Sequence, residues 1–288
     1  MKKWTRFFLI IILWFLISSC ETVFYAPGHH TYYPPENLGY HPQHFFFPSL
    51  DDTKLSGWIF PSKFPEEEKD LIILQFHGNG ENMTSHYMSL AWATNRGFEL
   101  ITFDYRGYGK SAGELGHKGV VEDAVAAYNF TKKRALKSNK KIVLFAQSLG
   151  ATILLKAIEK FEDKQVIHSV FIDGGFLHHT DMANEFLSRF WFTWPFQWLP
   201  YLVVSGSYSP DKFFEYFPRD TPLIVIHGEK DQVVPIRFGK EIYSLAKPPK
   251  RWILAKNMRH IESMHHTEYR RLFLDMIKFP PQKQPKDR

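Results

Sequence analysis

Six short apolar runs, separated by helix-like segments, recur along most of the chain: Leu71–Phe76, Glu99–Phe103, Lys141–Phe145, Val166–Ile172, Leu223–Ile226 and Trp252–Leu254. Most are continuous rather than alternating, which is the pattern of strands buried on both faces. Residues with helical spacing fill the intervals, at Val120–Leu136, Leu149–Phe161, Phe238–Leu245 and Tyr269–Ile277. Strand–helix alternation of this length requires right-handed crossovers and predicts a mostly parallel central sheet flanked by helices, an α/β class. Phe45–Pro48 and Leu55–Phe60 precede the alternation and suit an antiparallel edge turned at Asp51 and Asp52. No internal repeat is visible.

One stretch breaks the rhythm. Residues 176–220 contain Phe190, Trp191, Phe192, Trp194, Phe196, Trp198 and Tyr201, interrupted by Pro195 and Pro200. The stretch is too long for a simple loop and too proline-broken for one helix, so it reads as a cap inserted over the C-terminal strand ends. Its aromatics have three readings: the core of the cap, a wall for an acyl substrate, or a membrane-contacting surface.

The N-terminus reads as an export signal over residues 1–19. Lys2, Lys3 and Arg6 precede the apolar run Phe7–Ile17, and Ser18-Ser19-Cys20 follows. A run this short, ending in small residues, suits a cleaved leader better than a spanning helix, which needs roughly 20 apolar residues. Cys20 is the single cysteine, so the chain has no internal disulfide and must stand on its core alone. Residues 20–43, rich in Pro, His and Tyr, read as an extended tether; the folded α/β body is expected over 44–279 and a basic tail over 280–288. The formal charge of +6 carries little meaning, because Lys2, Lys3 and Arg6 supply three of the positive charges. The remaining basic residues are scattered, which argues against a nucleic-acid partner.

Four separated motifs converge on one chemistry. Ala146-Gln147-Ser148-Leu149-Gly150 lies between a strand and a helix, where a serine can project from a tight turn if its neighbours are small. His77-Gly78-Asn79-Gly80 follows another strand, and the backbone N–H groups of Asn79 and Leu149 are the candidates for an oxyanion hole. Asp231 and His260 follow the last two strands, at the edge that also carries Ser148. The chain order Ser, Asp, His is the one expected when an acid orients an imidazole that takes the serine proton. Asp173, at another strand end, is the fallback acid, while His265 and His266 are alternative bases. Gly109-Lys110-Ser111 is no phosphate loop, since Asp104 stands where that motif needs glycine. Asp104 and Arg106 are expected to pair locally in that turn. The pairs His29-His30, His178-His179 and His265-His266 lack metal-ligand spacing, so neither a metal nor another cofactor is expected.

With these motifs the chain resembles the α/β-hydrolase superfamily, particularly its lysophospholipase-like and serine-peptidase-like branch, over about residues 45–279. The resemblance implies Ser148 as nucleophile, Asp231 as acid within a Gly-x-x-Asp-x-x-x-Pro run, and His260 as general base. Arg259 departs from the small residue usual before that histidine, and Ala146 departs from the commoner glycine. Cys20 resembles the lipidated cysteine of bacterial lipoproteins, which implies a membrane-anchored protein of the cell envelope; a plain leader or an uncleaved anchor would leave Cys20 incidental. The expected activity is hydrolysis of an ester, thioester or amide through an acyl-enzyme, as in a carboxylesterase or lysophospholipase, with a small-molecule or lipid acyl substrate. The competing expectation is a catalytically silent binding or scaffold lipoprotein on the same fold.

Overall fold

A computed structural model of the chain describes residues 25–282, apart from positions 68, 205, 207 and 248. The expected leader, Cys20 and most of the basic tail lie outside the described residues. Eight strands form one sheet: β1 (Gln43–Pro48), β2 (Lys54–Phe60), β3 (Leu71–Phe76), β4 (Glu99–Phe103), β5 (Lys141–Gln147), β6 (Ile167–Asp173), β7 (Leu223–Gly228) and β8 (Lys250–Ala255). Their spatial order is β1-β2-β4-β3-β5-β6-β7-β8. β2 pairs antiparallel with both β1 and β4, and every pairing from β4 through β8 is parallel.

The continuous apolar runs have a direct explanation in the packing. Ile72 and Leu74 of β3, with Ile142 and Leu144 of β5, enter one buried cluster, whereas Ile73 and Val143 enter the other. Successive side chains point to opposite faces, so a strand covered on both sides must be apolar at every position. The helices α1 (His117–Lys137), α2 (Leu149–Ala157) and α4 (Ile236–Leu245) contribute to the first cluster; α5 (Thr267–Lys278) covers the other through Tyr269, Phe273 and Ile277. Between β3 and β4, the turn Met83–His86 and a chain of 3-10 turns ending at Arg96 were not legible as a helix, being too short to show a period. Asn82 caps that turn, its side-chain oxygen accepting from Thr84 N at 2.8 Å.

Two expectations need correction. Asp104 does not pair with Arg106. Arg106 reaches Asp123 on α1 (2.8 Å) and Asp51 in the β1–β2 turn (2.9 Å), and Ser49 Oγ donates to the same Asp123 carboxylate at 2.6 Å. The antiparallel edge is thereby clamped to the parallel body. Asp104 instead accepts the Met83 N–H at 2.7 Å, and burial pushes its carboxyl up to about 7. The segment read as a tether is docked from Tyr25 onward. Tyr25 is buried, its hydroxyl hydrogen-bonded to His117 Nδ1 at 2.7 Å, and Gly28 N–H donates to Glu81 O at 2.7 Å. Pro, His and Tyr hide a period without preventing burial, because these contacts are made residue by residue.

The aromatic insertion follows β6, as expected, and includes α3 (His179–Ser188). Its ends are rooted in the core through Leu177 and Phe213. Between them the reading of the aromatics as a cap core fails: Trp191 is 77% exposed, and Phe192, Trp194, Phe196 and Trp198 are exposed as well. Proline at 195 and 200 limits the segment to single turns, which leaves too little backbone regularity to bury a face of bulky rings.

The Arg106 clamp yields a test. Asp123→Ala removes the buried partner of a guanidinium whose side chain is 9% exposed, leaving it only Asp51 as a carboxylate partner, and should cost about 3 kcal/mol in urea unfolding. Asp51, with a side chain 45% exposed, should cost about 1 kcal/mol or less when changed to Ala.

Candidate active site

Ser148 stands between the end of β5 and the start of α2, with φ 51° and ψ −121°. A positive φ at a non-glycine residue is strained and persists only where the surroundings impose it. Here they do so in two ways. The Ser148 N–H donates to Asp173 O on β6 at 2.9 Å, hooking the turn to the next strand. On the other side, a Cβ at Gly150 would run into the carbonyl oxygens of Phe76 and His77, so α2 can approach β3 only without one. Ala146, the departure noted in the motif, is fully buried and registers between Phe76 and Ile172 of the neighbouring strands.

Asp231 and His260 meet. His260 Nδ1–H donates to Asp231 Oδ2 at 2.7 Å, and Asp231 Oδ1 accepts the N–H groups of Val233 (2.9 Å) and Val234 (2.8 Å). The carboxylate is fully buried, and the imidazole side chain is 16% exposed. An acid held by two backbone donors has one oxygen left for the imidazole, which fixes the ring's tautomer and leaves Nε2 as the acceptor. The two loops are latched together: Lys230 N–H donates to Met258 O at 2.9 Å, and a Cβ at Gly228 would collide with Arg259 O. The side chain of Arg259 is at the surface, so the small residue usual before this histidine is not required here. A second imidazole, His227, lies 3.5 Å from Asp231 and donates through Nε2 to Val234 O; burial pushes its pKa down.

The alternatives take other roles. Asp173 accepts from Ser263 Oγ at 2.7 Å rather than from His260. His265 and His266 are at the surface and outside the Asp231 contacts. Beside Ser148, the loop Gly78-Asn79 passes so close that a Cβ at Gly78 would sit 3.3 Å from Ser148 Cβ. The Asn79 side chain is occupied elsewhere, accepting from Ala26 N–H and Tyr108 Oη, each at 2.8 Å. Its backbone is therefore the part at issue next to the serine. Leu149 opens α2, whose first N–H groups lack intrahelical acceptors and so suit a developing negative charge.

Sequence reasoning missed a buried polar layer under these loops. Gln75 Nε2 donates to His86 O (2.8 Å) and to Gln147 Oε1 (3.1 Å), and Ser89 Oγ donates to His86 O. The available signal was a glutamine at the end of each of two otherwise apolar strands. The N-terminal strap was missed too: Asn82 Nδ2 donates to Gly28 O and His30 O, so residues 25–30 brace the Asn79 loop. Among the described residues, no group of three or more His, Cys, Asp or Glu is arranged to hold a metal ion.

A mostly parallel sheet with this elbow, and an acid–imidazole pair on the same strand edge, defines an α/β-hydrolase fold, and the chain is a serine hydrolase. Residues 67–216 match the family described as serine aminopeptidase, S33. An uncharacterised Escherichia coli K12 protein, YfhR, is 30% identical over 277 residues, covering 93% of each chain. The Xenopus tropicalis lysophosphatidylserine lipase ABHD12 is 26% identical over 190 residues, 62% of this chain and 47% of that one. A Pyrococcus furiosus esterase shares the fold with a TM-score of 0.67 at 18% identity, covering 88% of this chain and 98% of its own. The chain belongs to the S33 serine aminopeptidase family.

Asp173 provides a pH test. Burial, with the Asp231 charge adding to it, pushes its carboxyl up to about 6, against the Ser263 hydrogen bond. A carboxyl raised from 3.8 holds its proton longer when folded, so its contribution to stability is full below pH 3.8 and lost as pH rises through 6. Asp173→Asn escapes this loss. Urea unfolding at pH 4 and pH 7 should show the variant gaining on the parent by up to about 3 kcal/mol at the higher pH.

Proposed function

We propose that this hydrolase cleaves ester, thioester or amide bonds through an acyl-enzyme on Ser148. The observation that carries the assignment is the 2.7 Å bond between His260 and a fully buried Asp231 at the strand edge from which Ser148 projects. His260 Nε2 takes the Ser148 proton as Oγ attacks the carbonyl carbon. The N–H groups of Leu149 and Asn79 face the oxyanion, and the leaving group departs with the proton from His260. Water then repeats the sequence on the acyl-enzyme. The Asp231 carboxylate stabilises the imidazolium without taking its proton. These steps use the chain's own groups throughout.

The reading extends to a carboxylesterase or lysophospholipase-like enzyme acting on a lipid acyl group. A relative is named as a lysophosphatidylserine lipase, and the S33 family description as an aminopeptidase keeps amides within the class. A cleft of about 310 Å³ opens beside the site, its lining including Gln147, His86 and Ile261, the neighbours of Ser148 and His260. A larger cleft, about 1080 Å³, lies at the opposite strand ends near Leu71 and Lys141, away from Ser148. It has no part in the proposal. A lipid on Cys20 would hold the enzyme at a membrane of the cell envelope. The sequence around Cys20 supports this anchor; among the described residues no helix is long and apolar enough to cross a membrane.

Hydrolysis of p-nitrophenyl esters from acetate to palmitate tests the chemistry. Ser148→Ala should lower kcat/KM by about 10³-fold or more and abolish labelling by a fluorophosphonate. Asp231→Asn should lower kcat by about 10⁴-fold while Asp173→Asn stays within about tenfold, which separates the acid from its neighbour. Failure of the parent both to hydrolyse and to take the label would leave a binding protein on a hydrolase scaffold. For the anchor, Cys20→Ser should stop incorporation of labelled palmitate in bacteria and release the protein from the membrane fraction; unchanged labelling would remove Cys20 from the proposal.

A further inference from the structure

From Phe190 to Pro210 the sequence contains no acidic residue, no basic residue and no histidine. In the structure this stretch does not fold inward. Trp191, Phe192, Trp194, Phe196, Trp198 and Tyr201 are all more than half exposed. Their rings form part of a connected surface: Phe190 and Phe192 lie 5.7 Å apart, Trp191 and Phe192 6.2 Å. Scattered apolar residues need no explanation on a protein surface, but a contiguous aromatic patch does.

Polar groups of the patch are hydrogen-bonded within the insertion. Trp194 Nε1–H donates to Ser188 O at 3.1 Å and Trp198 Nε1–H to Pro195 O at 2.8 Å. The backbone N–H groups of Thr193, Leu199, Leu202 and Val204 donate to carbonyls of the same segment. Such a surface can leave water without stranding these donors, which is the main penalty for entering an apolar medium. Broken into single turns by proline, it is suited to lie in an interface and not to cross it.

The position of the chain's N-terminal part indicates what covers the patch. The chain joins the described fold at Tyr25, which is hydrogen-bonded to His117. His117 in turn packs its ring 4.3 Å from that of His179, the first residue of α3. The patch begins one ten-residue helix further on, about 15 Å. Tyr25 is five residues from Cys20, a reach of about 17 Å at most, and eight from the end of the apolar run Phe7–Ile17. An anchor at either point keeps the patch within a short reach of the bilayer. The insertion is also tied to the acid loop: Arg189 donates to Val233 O at 2.9 Å, and Glu185 pairs with Arg237 on α4.

We infer that the aromatic patch of residues 190–202 is a second membrane contact, which inserts into the interfacial region of a lipid bilayer and holds the Ser148 edge against it. Tryptophan-rich surfaces favour that region because the rings are amphipathic, and a single weak anchor gains strongly from a second contact. The contact is uncharged, so it acts on zwitterionic lipid and does not depend on low salt. It goes beyond the hydrolase reading and stands apart from its chemistry.

The test is co-sedimentation with phosphatidylcholine vesicles, using the chain that starts at Glu21 and carries Ser148→Ala, so that neither the Cys20 lipid nor hydrolysis enters the result. Both buried clusters draw only on residues from Tyr25 to Ile277, so this chain keeps every core residue. Binding that persists in about 0.5 M NaCl and falls at least about tenfold in Trp191→Ser/Trp194→Ser/Trp198→Ser, with the thermal midpoint unchanged, is the expected result. Phe192→Ser/Phe196→Ser, which leaves the indole hydrogen bonds intact, should weaken binding in the same direction. No binding by the parent overturns the inference, as does equal binding by both variants. Binding confined to anionic vesicles and abolished by salt would show basic-surface adhesion instead. A concentration-dependent dimer that the tryptophan variant loses, without vesicle binding, would assign the patch to a second copy of the chain.

Discussion

The strained backbone at Ser148 is the constraint around which the rest of the site is arranged. A side chain with positive φ relaxes unless its turn is held on more than one side. The Asp173 carbonyl holds the Ser148 N–H, and α2 closes against the Phe76 and His77 carbonyls across Gly150. Both holds depend on the parallel register of β3, β5 and β6, because they reach from one strand end to the next. Sheet pairing and the geometry of Ser148 are thus one property. Any slip in register would move Ser148 away from both supports.

Beyond the elbow, the strand ends carry a buried polar layer. Asp231 accepts from two backbone donors and one imidazole, and Asp173 Oδ2 accepts from Ser263, while Gln75 donates to Gln147 beneath the Gly78 loop. Two carboxylates share this small region with different environments. Asp231 has donors on both oxygens, whereas burial raises Asp173 toward the neutral form. The difference arises from hydrogen-bond supply rather than from position along a strand.

The segments outside the alternating core carry the distinctive features. The strap from Tyr25 to His30 braces the loop that contains Asn79, and the insertion from α3 onward exposes its aromatic rings while gripping the acid loop through Arg189. Both attach to the same strand edge. The strap holds the loop beside Ser148, and the insertion holds the loop that carries Asp231.

Much of this was legible in the residues alone. Six apolar runs identified β3 to β8 to within a few positions, since strands covered on both faces must be apolar throughout, and two further runs identified the antiparallel edge. The serine, acid and histidine motifs were legible because each follows a strand at a short, fixed interval. Such signals are local, and local spacing is what a sequence records directly. Tertiary structure decided which groups meet: that Asp231 and not Asp173 reaches His260, that Arg106 bridges Asp51 and Asp123, that the Pro-rich segment after Tyr25 docks, and that the insertion's tryptophans face outward. Each of these depends on loops far apart in the chain arriving at one edge of the sheet, and on proline-broken turns that cannot bury what they carry. No periodicity encodes such encounters.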